Sequence, residues 1–251
     1  MELLVVGAGE MGRWLADTVD ASVAFADLDS AVAVDAAAGR PTCRTVETDT
    51  DEQFDAVCLS VPMSAVVPAI EQYAENATGA IFDISGVMAA PLSAMETHAP
   101  SIERASYHPL FAPPRIPGNI AAVTADSGPI LEAIESDLKT AGNTVFSTTA
   151  EEHDRAMETV QSAAHTAILA YALAAEDVRP EFATPVSARL DDLVSTVTEG
   201  SPDVYAEIQD AFDGADRVAA TAQAISDADR AAFTELYRKA GTDTETRTRH
   251  D

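Results

Sequence analysis

The sequence predicts an α/β region followed by an all-helical one, and three observations carry that expectation. Short apolar runs alternate with amphipathic helical patterns up to about residue 148. A glycine-rich turn, GAGEMG, links the first run to the first helical stretch. Beyond residue 149 the strand-like runs stop, and helical stretches follow behind N-cap residues. Strands that alternate with helices build a doubly wound parallel sheet, because parallel neighbours need a crossover connection.

Taken in order, Glu2–Val6 (ELLVV) reads as a short buried strand, and RWLADTV after the glycine turn starts an amphipathic helix. Ser22–Ala26 (SVAFA) is a second strand, ending at Asp27. Residues 56–61 (AVCLSV) and 80–84 (AIFDI) are two more, with helical patterns between them. Residues 120–124 and Thr144–Ser147 are expected as later strands around a helix at 129–141. The run 106–114 (SYHPLFAPP) is expected to be a stiff loop, since a His-Pro step breaks a helix and prolines do not serve a central strand. Residues 149–152 (TAEE) form a capping box opening a long helix to about Asp177. Thr184-Pro185, Ser201-Pro202 and residues 226–229 (SDAD) each signal a further helix start. Gly241 is expected to stop the last helix, before a polar tail at 242–251 that is expected to be disordered. The domains are therefore 1–148 and 149–241.

Lysine and arginine number 15 against 42 aspartates and glutamates, a net charge of −27. A surface this acidic argues against nucleic acid and anionic membranes as partners. The charge is spread along the chain, the composition expected of a protein from a high-salt cytoplasm. Cys43 and Cys58 make neither a disulfide framework nor a CxxC pair, and no metal site is expected. The first residues lack a basic n-region, and no stretch has the length to span a bilayer, so a cytoplasmic location is expected.

Residues 7–12 fit GxGxxG in the context that its mechanism requires, directly after a strand and opening a helix. Gly7 permits the tight turn, Gly9 admits a pyrophosphate to the backbone, and Gly12 lets helix and strand pack closely. Glu10 and Met11 complete the turn. Asp27 lies 20 residues after Gly7, at the end of the second strand, where a carboxylate accepts from both ribose hydroxyls. The same charge repels a 2′-phosphate, which favours NAD over NADP. Ser60, Val61 and Pro62 follow the next strand and are expected beneath the nicotinamide ribose. The first domain is thus expected to be of Rossmann type.

His108 follows the AIFDI strand by about 25 residues, within reach of the nicotinamide end of such a site. A second polar group is expected on the first helix of the next domain. At about 100° per residue, Asp154, Glu158, Gln161 and His165 fall on one stripe that continues into Ile168 and Ala172. His153 falls to one side of it.

Three stretches carry a resemblance to prephenate dehydrogenases, especially the archaeal and enteric type. They are GEMGRWLA (9–16), HPLFAPP (108–114) and HDRAMETVQSAAH (153–165), with SPDVYAEIQ (201–209) as a looser fourth. The resemblance implies oxidative decarboxylation of prephenate, or of its amino analogue arogenate, with NAD as hydride acceptor. His108 would be the base, His165 would line the substrate pocket, and Gln161 and His153 would help shape it. Two departures stand out. Gly86 and Met88 occupy the places of the family's serine and lysine, with Ser85 as the substitute. Thr196 occupies the place of a carboxylate-binding arginine, for which Arg115 and Arg189 are candidates. Another two-domain NAD(P) oxidoreductase, or a dinucleotide sensor with a lapsed active site, are the alternatives. The thin helical domain is expected to form a homodimer through its C-terminal helices.

Overall fold

A computed structural model describes residues 1–113 and 115–247. The chain divides into two compact units, the first Met1–Ala156 and the second beginning at Met157. The boundary expected at 148/149 lies one helix earlier than this division.

In the first unit β1 (Glu2–Val6), α1 (Glu10–Thr18), β2 (Ser22–Ala26), α2 (Ser30–Ala37), β3 (Cys43–Thr45) and β4 (Phe54–Leu59) follow one another. Then come α3 (Met63–Tyr73), β5 (Ala77–Asp83), α4 (Ala89–His98), β6 (Glu103–Pro109), β7 (Asn119–Asp126), α5 (Pro129–Thr140), β8 (Thr144–Ser147) and α6 (Ala150–Met157). The strands form one eight-stranded sheet in the order β3-β2-β1-β4-β5-β6-β7-β8. The order reverses between β1 and β4, which opens a crevice at the carboxyl edge of the sheet.

Alternate residues of each strand feed two separate cores. Leu3, Val5, Phe25, Cys58 and Phe82 pack with Trp14 and Leu15 of α1, Ala33 of α2 and Ile134 of α5. Leu4, Val6, Ala24, Val57 and Ile81 pack with Ile70 of α3 and Met95 of α4 on the other face. Burial on both faces is why these strands read as continuous apolar runs.

The sheet is doubly wound and mostly parallel, as expected; among the described strands the one antiparallel pairing is that of β7 with β6, and β8 runs parallel to β7. The described residues of 110–118 hold no helix to carry a parallel crossover. A second expectation is corrected. The run beginning SYHP is not a loop at its start, because residues 103–109 form β6, inside the sheet. Pro109 is tolerated there for a specific reason. Leu110 donates its amide to Asn119 of β7, so the nitrogen of Pro109 faces the opposite side, where β5 has already ended at the Asp83–Ser106 pair. Phe111 packs edge-on against Trp14, with ring centroids 5.3 Å apart.

In the second unit a π-helical turn (Glu158–Ala163) leads into α7 (Ala164–Ala174), followed by α8 (Pro185–Thr198), α9 (Pro202–Ala211), α10 (Gly214–Asp227) and α11 (Arg230–Arg247). The long helix expected to reach Asp177 therefore ends at Ala174 and holds a wider turn. That turn accommodates α10 at backbone contact: a Cβ on Gly214 would lie 2.0 Å from the Glu158 carbonyl oxygen. Thr184 and Ser187 form a reciprocal capping box, and Asp229 accepts from the amides of Ala231 and Ala232. Gly241 does not stop α11, which runs on to Arg247; residues 248–251 of the expected tail lie outside the described residues.

Candidate dinucleotide and proton-acceptor site

The glycine turn is built against two neighbouring strands. Gly7 has φ +97°, a left-handed conformation, and its amide donates to Ala26 of β2. A Cβ on Gly7 would lie 2.1 Å from the Ser60 carbonyl oxygen, and one on Gly12 would lie 2.2 Å from that of Gly7. A Cβ on Gly9 would meet nothing within 4 Å. Gly9 is the N-cap of α1 and no side chain caps its first turn, so open space faces the helix amides around Glu10 and Met11. These features fit a pyrophosphate. Asp27 accepts the Ala8 amide on Oδ2 and the Asp29 amide on Oδ1, both near 2.8–2.9 Å, which ties the end of β2 to the glycine turn. Ser60 begins the turn after β4, its amide donating to Val6, with Val61 and Pro62 leading into α3.

His108 is buried, 7% exposed. Its Nδ1 lies 2.8 Å from Nε2 of His153, whose own Nδ1 lies 2.8 Å from Oδ1 of Asp154. The Asp154 carboxylate also accepts the amides of Met88 and Ala89, at the N-terminus of α4. All these residues belong to the first unit. Burial, with His153 adding to it, drives the His108 pKa down to about 3, against the pull of Asp154. Burial opposes ionisation of Asp154 as well, but hydrogen bonds from His153, Ala89 and Met88 hold its carboxyl below the ordinary value.

By residue count His153 falls to one side of the polar stripe, and nothing in the spacing marks it as the partner of His108. The signal available was the adjacent His-Asp pair. Asp154 was expected on a stripe with Glu158, Gln161 and His165, but the π turn between them breaks the 100° count. The residues take separate partners: Glu158 pairs with Arg217, and the His165 ring lies 4.7 Å from that of Tyr205. Gln161 is half-buried in the π turn. Ser85 is buried, and its hydroxyl donates to Asp83 at 2.6 Å. A Cβ on neighbouring Gly86 would meet Met63 Sδ at 2.7 Å, so Met63 fills the space a side chain would take. Arg115 is exposed in the 110–118 connection and Arg189 is exposed on α8.

Burial pushes Asp83 up to about 6, opposed by its hydrogen bonds from Ser85. Its effect on stability has the opposite sign to that of His108. The unfolded chain protonates His108 at its ordinary 6.5 while the folded one resists until about 3, so stability is lost as pH falls through that window. Asp83 holds its proton longer when folded than its ordinary 3.8 allows, so stability is lost as pH rises from 3.8 toward 6. His108→Asn removes only the first effect. The variant should gain on the parent by about 2 kcal/mol between pH 7 and 5, read from paired denaturant melts. A constant difference would contradict the buried neutral imidazole.

No protein-family model matches the chain. A relative, the 4-amino-4-deoxyprephenate dehydrogenase of Streptomyces pristinaespiralis, is 29% identical over 233 residues, 85% of this chain and 78% of its own. Among solved structures, Aquifex aeolicus prephenate dehydrogenase in complex with hydroxyphenyl propionate and NAD+ has a TM-score of 0.71 at 15% identity, covering 100% of this chain and 98% of that one. Synechocystis arogenate dehydrogenase has a TM-score of 0.68 at 17% identity, with both chains fully covered. These structures share the Rossmann-like, mostly parallel sheet and the helical part that follows it.

Proposed function

We propose that the chain is an NAD-dependent dehydrogenase that oxidatively decarboxylates prephenate to 4-hydroxyphenylpyruvate, with His108 as proton acceptor. The observation that carries this reading is the place of His108. Register aligns Val6, Leu59, Asp83 and Ser106 in one row across β1, β4, β5 and β6. His108 thus stands two residues past that row, at the carboxyl edge that also carries the glycine turn. Three strand spacings separate them, roughly 14 Å. That reach suits a dinucleotide lying across the crevice from pyrophosphate to nicotinamide.

Gly9 and the α1 amides would hold the pyrophosphate, and Asp27 the ribose hydroxyls. Bound NAD supplies the acceptor for the hydride from C4. Neutral His108 takes the proton of the C4 hydroxyl, and loss of the ring carboxylate as carbon dioxide leaves an aromatic ring. His165 and Gln161 are proposed as substrate-binding groups, Ser85 as an assistant to the chemistry, and Arg115 or Arg189 as the carboxylate partner. In this reading the enzyme serves tyrosine biosynthesis in the cytoplasm of a salt-adapted cell.

A second reading is favoured by the name of the Streptomyces relative, whose substrate carries an amine at C4. A neutral imidazole takes a proton from that amine as well. NADH formation in molar salt with prephenate, arogenate and 4-amino-4-deoxyprephenate separates the readings. Turnover of prephenate is expected. Turnover of the amine alone would move the assignment to the second reading, and NAD binding without any turnover would overturn both.

The helical unit is proposed to pair with a second copy of the chain. No residue of α7 is buried, and Leu173, Phe182, Val186 and Tyr237 are exposed. Light scattering in molar salt should return twice the mass of one chain; a monomer would refute the pairing.

A further inference from the structure

We propose that His153 and Asp154 form a relay behind His108, which places the lone pair of His108 on Nε2 and carries the accepted proton onward. The relay rests on the reading of His108 as proton acceptor; the tautomer it assigns stands apart from any substrate.

The assignment follows from what each group is able to donate. The Asp154 carboxylate is ionised, held by two amides at the start of α4, and an ionised carboxylate only accepts. The 2.8 Å bond to His153 therefore requires the proton on His153 Nδ1. In neutral His153, Nε2 is then an acceptor. The 2.8 Å contact with His108 Nδ1 requires a proton on that nitrogen, since two lone pairs would otherwise face each other. With both imidazoles neutral, the proton order is thus fixed from one end, and His108 Nε2 is an acceptor.

The same chain gives the accepted proton somewhere to go. Protonation at Nε2 makes His108 a cation in a site that disfavours charge, as its lowered pKa records. Its Nδ1–H bond then breaks as an N–H bond forms at His153 Nε2. His108 is left neutral with the new proton on Nε2, and His153 becomes an imidazolium hydrogen-bonded to Asp154. No electrons are exchanged. The charge comes to rest beside the carboxylate, with Asp83 of β5 as the other acid that acts on His153. His153 and Asp154 are positioning residues in this scheme, because both act through His108.

Two variants and one spectrum test it. In the uniformly ¹⁵N-histidine-labelled full chain, without substrate, His108 should show a pyridine-like Nε2 and a pyrrole-like Nδ1. Asp154→Ala removes the acceptor at His153 Nδ1, so the preference for this proton order is lost and both His108 shifts should move toward a mixture of tautomers. With the lone pair no longer held on Nε2, its kcat should fall by about 10–100-fold. In His153→Gln the side-chain oxygen keeps an acceptor for His108 Nδ1 but takes no proton. Its His108 shifts should stay as in the parent while kcat falls about 10–100-fold, KM and NAD affinity hold, and the acid limb of the kcat profile moves to lower pH. A pyridine-like Nδ1 in the parent would overturn the tautomer. An unmoved acid limb with unchanged kcat in His153→Gln would overturn the relay. If no substrate turns over, the spectrum still decides the tautomer, so the two failures are distinguishable.

Discussion

His108→Asn is expected to cut turnover by about 10²–10⁴-fold, the usual yield of a positioned general base, while NAD affinity stays unchanged. The substitution is chosen for what it keeps. The amide nitrogen of asparagine falls close to the place of Nδ1 and still donates to His153, so the buried contact survives and the acceptor beyond it is lost. Burial makes the choice important. With His108 at 7% exposure and Nδ1 at 2.8 Å from His153, truncation to alanine would open a cavity and strand a polar group. A loss of rate in alanine would then mix chemistry with collapse. In asparagine the two are separable: calorimetric NAD binding reports the glycine turn three strands away, and initial rates report the base. A rate within a few-fold of the parent would remove His108 as the proton acceptor and leave the proposed reaction without one.

Sequence patterns and structure differ here in instructive ways. Strands buried on both faces leave unbroken apolar runs, so β1, β2, β4 and β5 were legible from ELLVV, SVAFA, AVCLSV and AIFDI. The glycine turn was legible because its demand on the chain is local: a positive φ at Gly7 and a close approach at Gly12 both exclude a side chain. β6 was hidden because its proline signals a break, and only the early end of β5 explains why Pro109 costs no hydrogen bond. β3 is three residues at a sheet edge, CRT, with no apolar pattern to read. The partner of His108 was hidden for a geometric reason. A straight-helix count sets His153 to one side of the polar stripe, whereas α6 turns His153 inward and the π turn starts a new register after Met157. Pairings between residues 45 apart are set by tertiary packing, and spacing alone does not reveal them.

Gly7→Ala and Gly9→Ala should separate folding from cofactor binding within one three-residue stretch. At Gly7 two costs add. An alanine at φ +97° carries left-handed strain of about 1–2 kcal/mol, and its Cβ, 2.1 Å from the Ser60 carbonyl oxygen, forces main chain apart for about 1–3 kcal/mol more. Ser60 has little freedom to yield, since its amide is bound to Val6 and the next strand closes behind it through Ile84 and Leu59. A loss of several kcal/mol should lower Tm by on the order of 10 °C, or prevent folding, in a chain of this size. Gly9 offers the opposite case. Its φ is −69°, open to any residue, and its added Cβ meets nothing within 4 Å. Gly9→Ala should melt with the parent, because neither strain nor overlap opposes it. The methyl would stand in the space left for the pyrophosphate, so NAD affinity should fall at least about tenfold, or about 1.4 kcal/mol. Calorimetry on the folded variant checks this without dependence on substrate. Parent-like affinity in Gly9→Ala would mean that the dinucleotide does not lie over this turn.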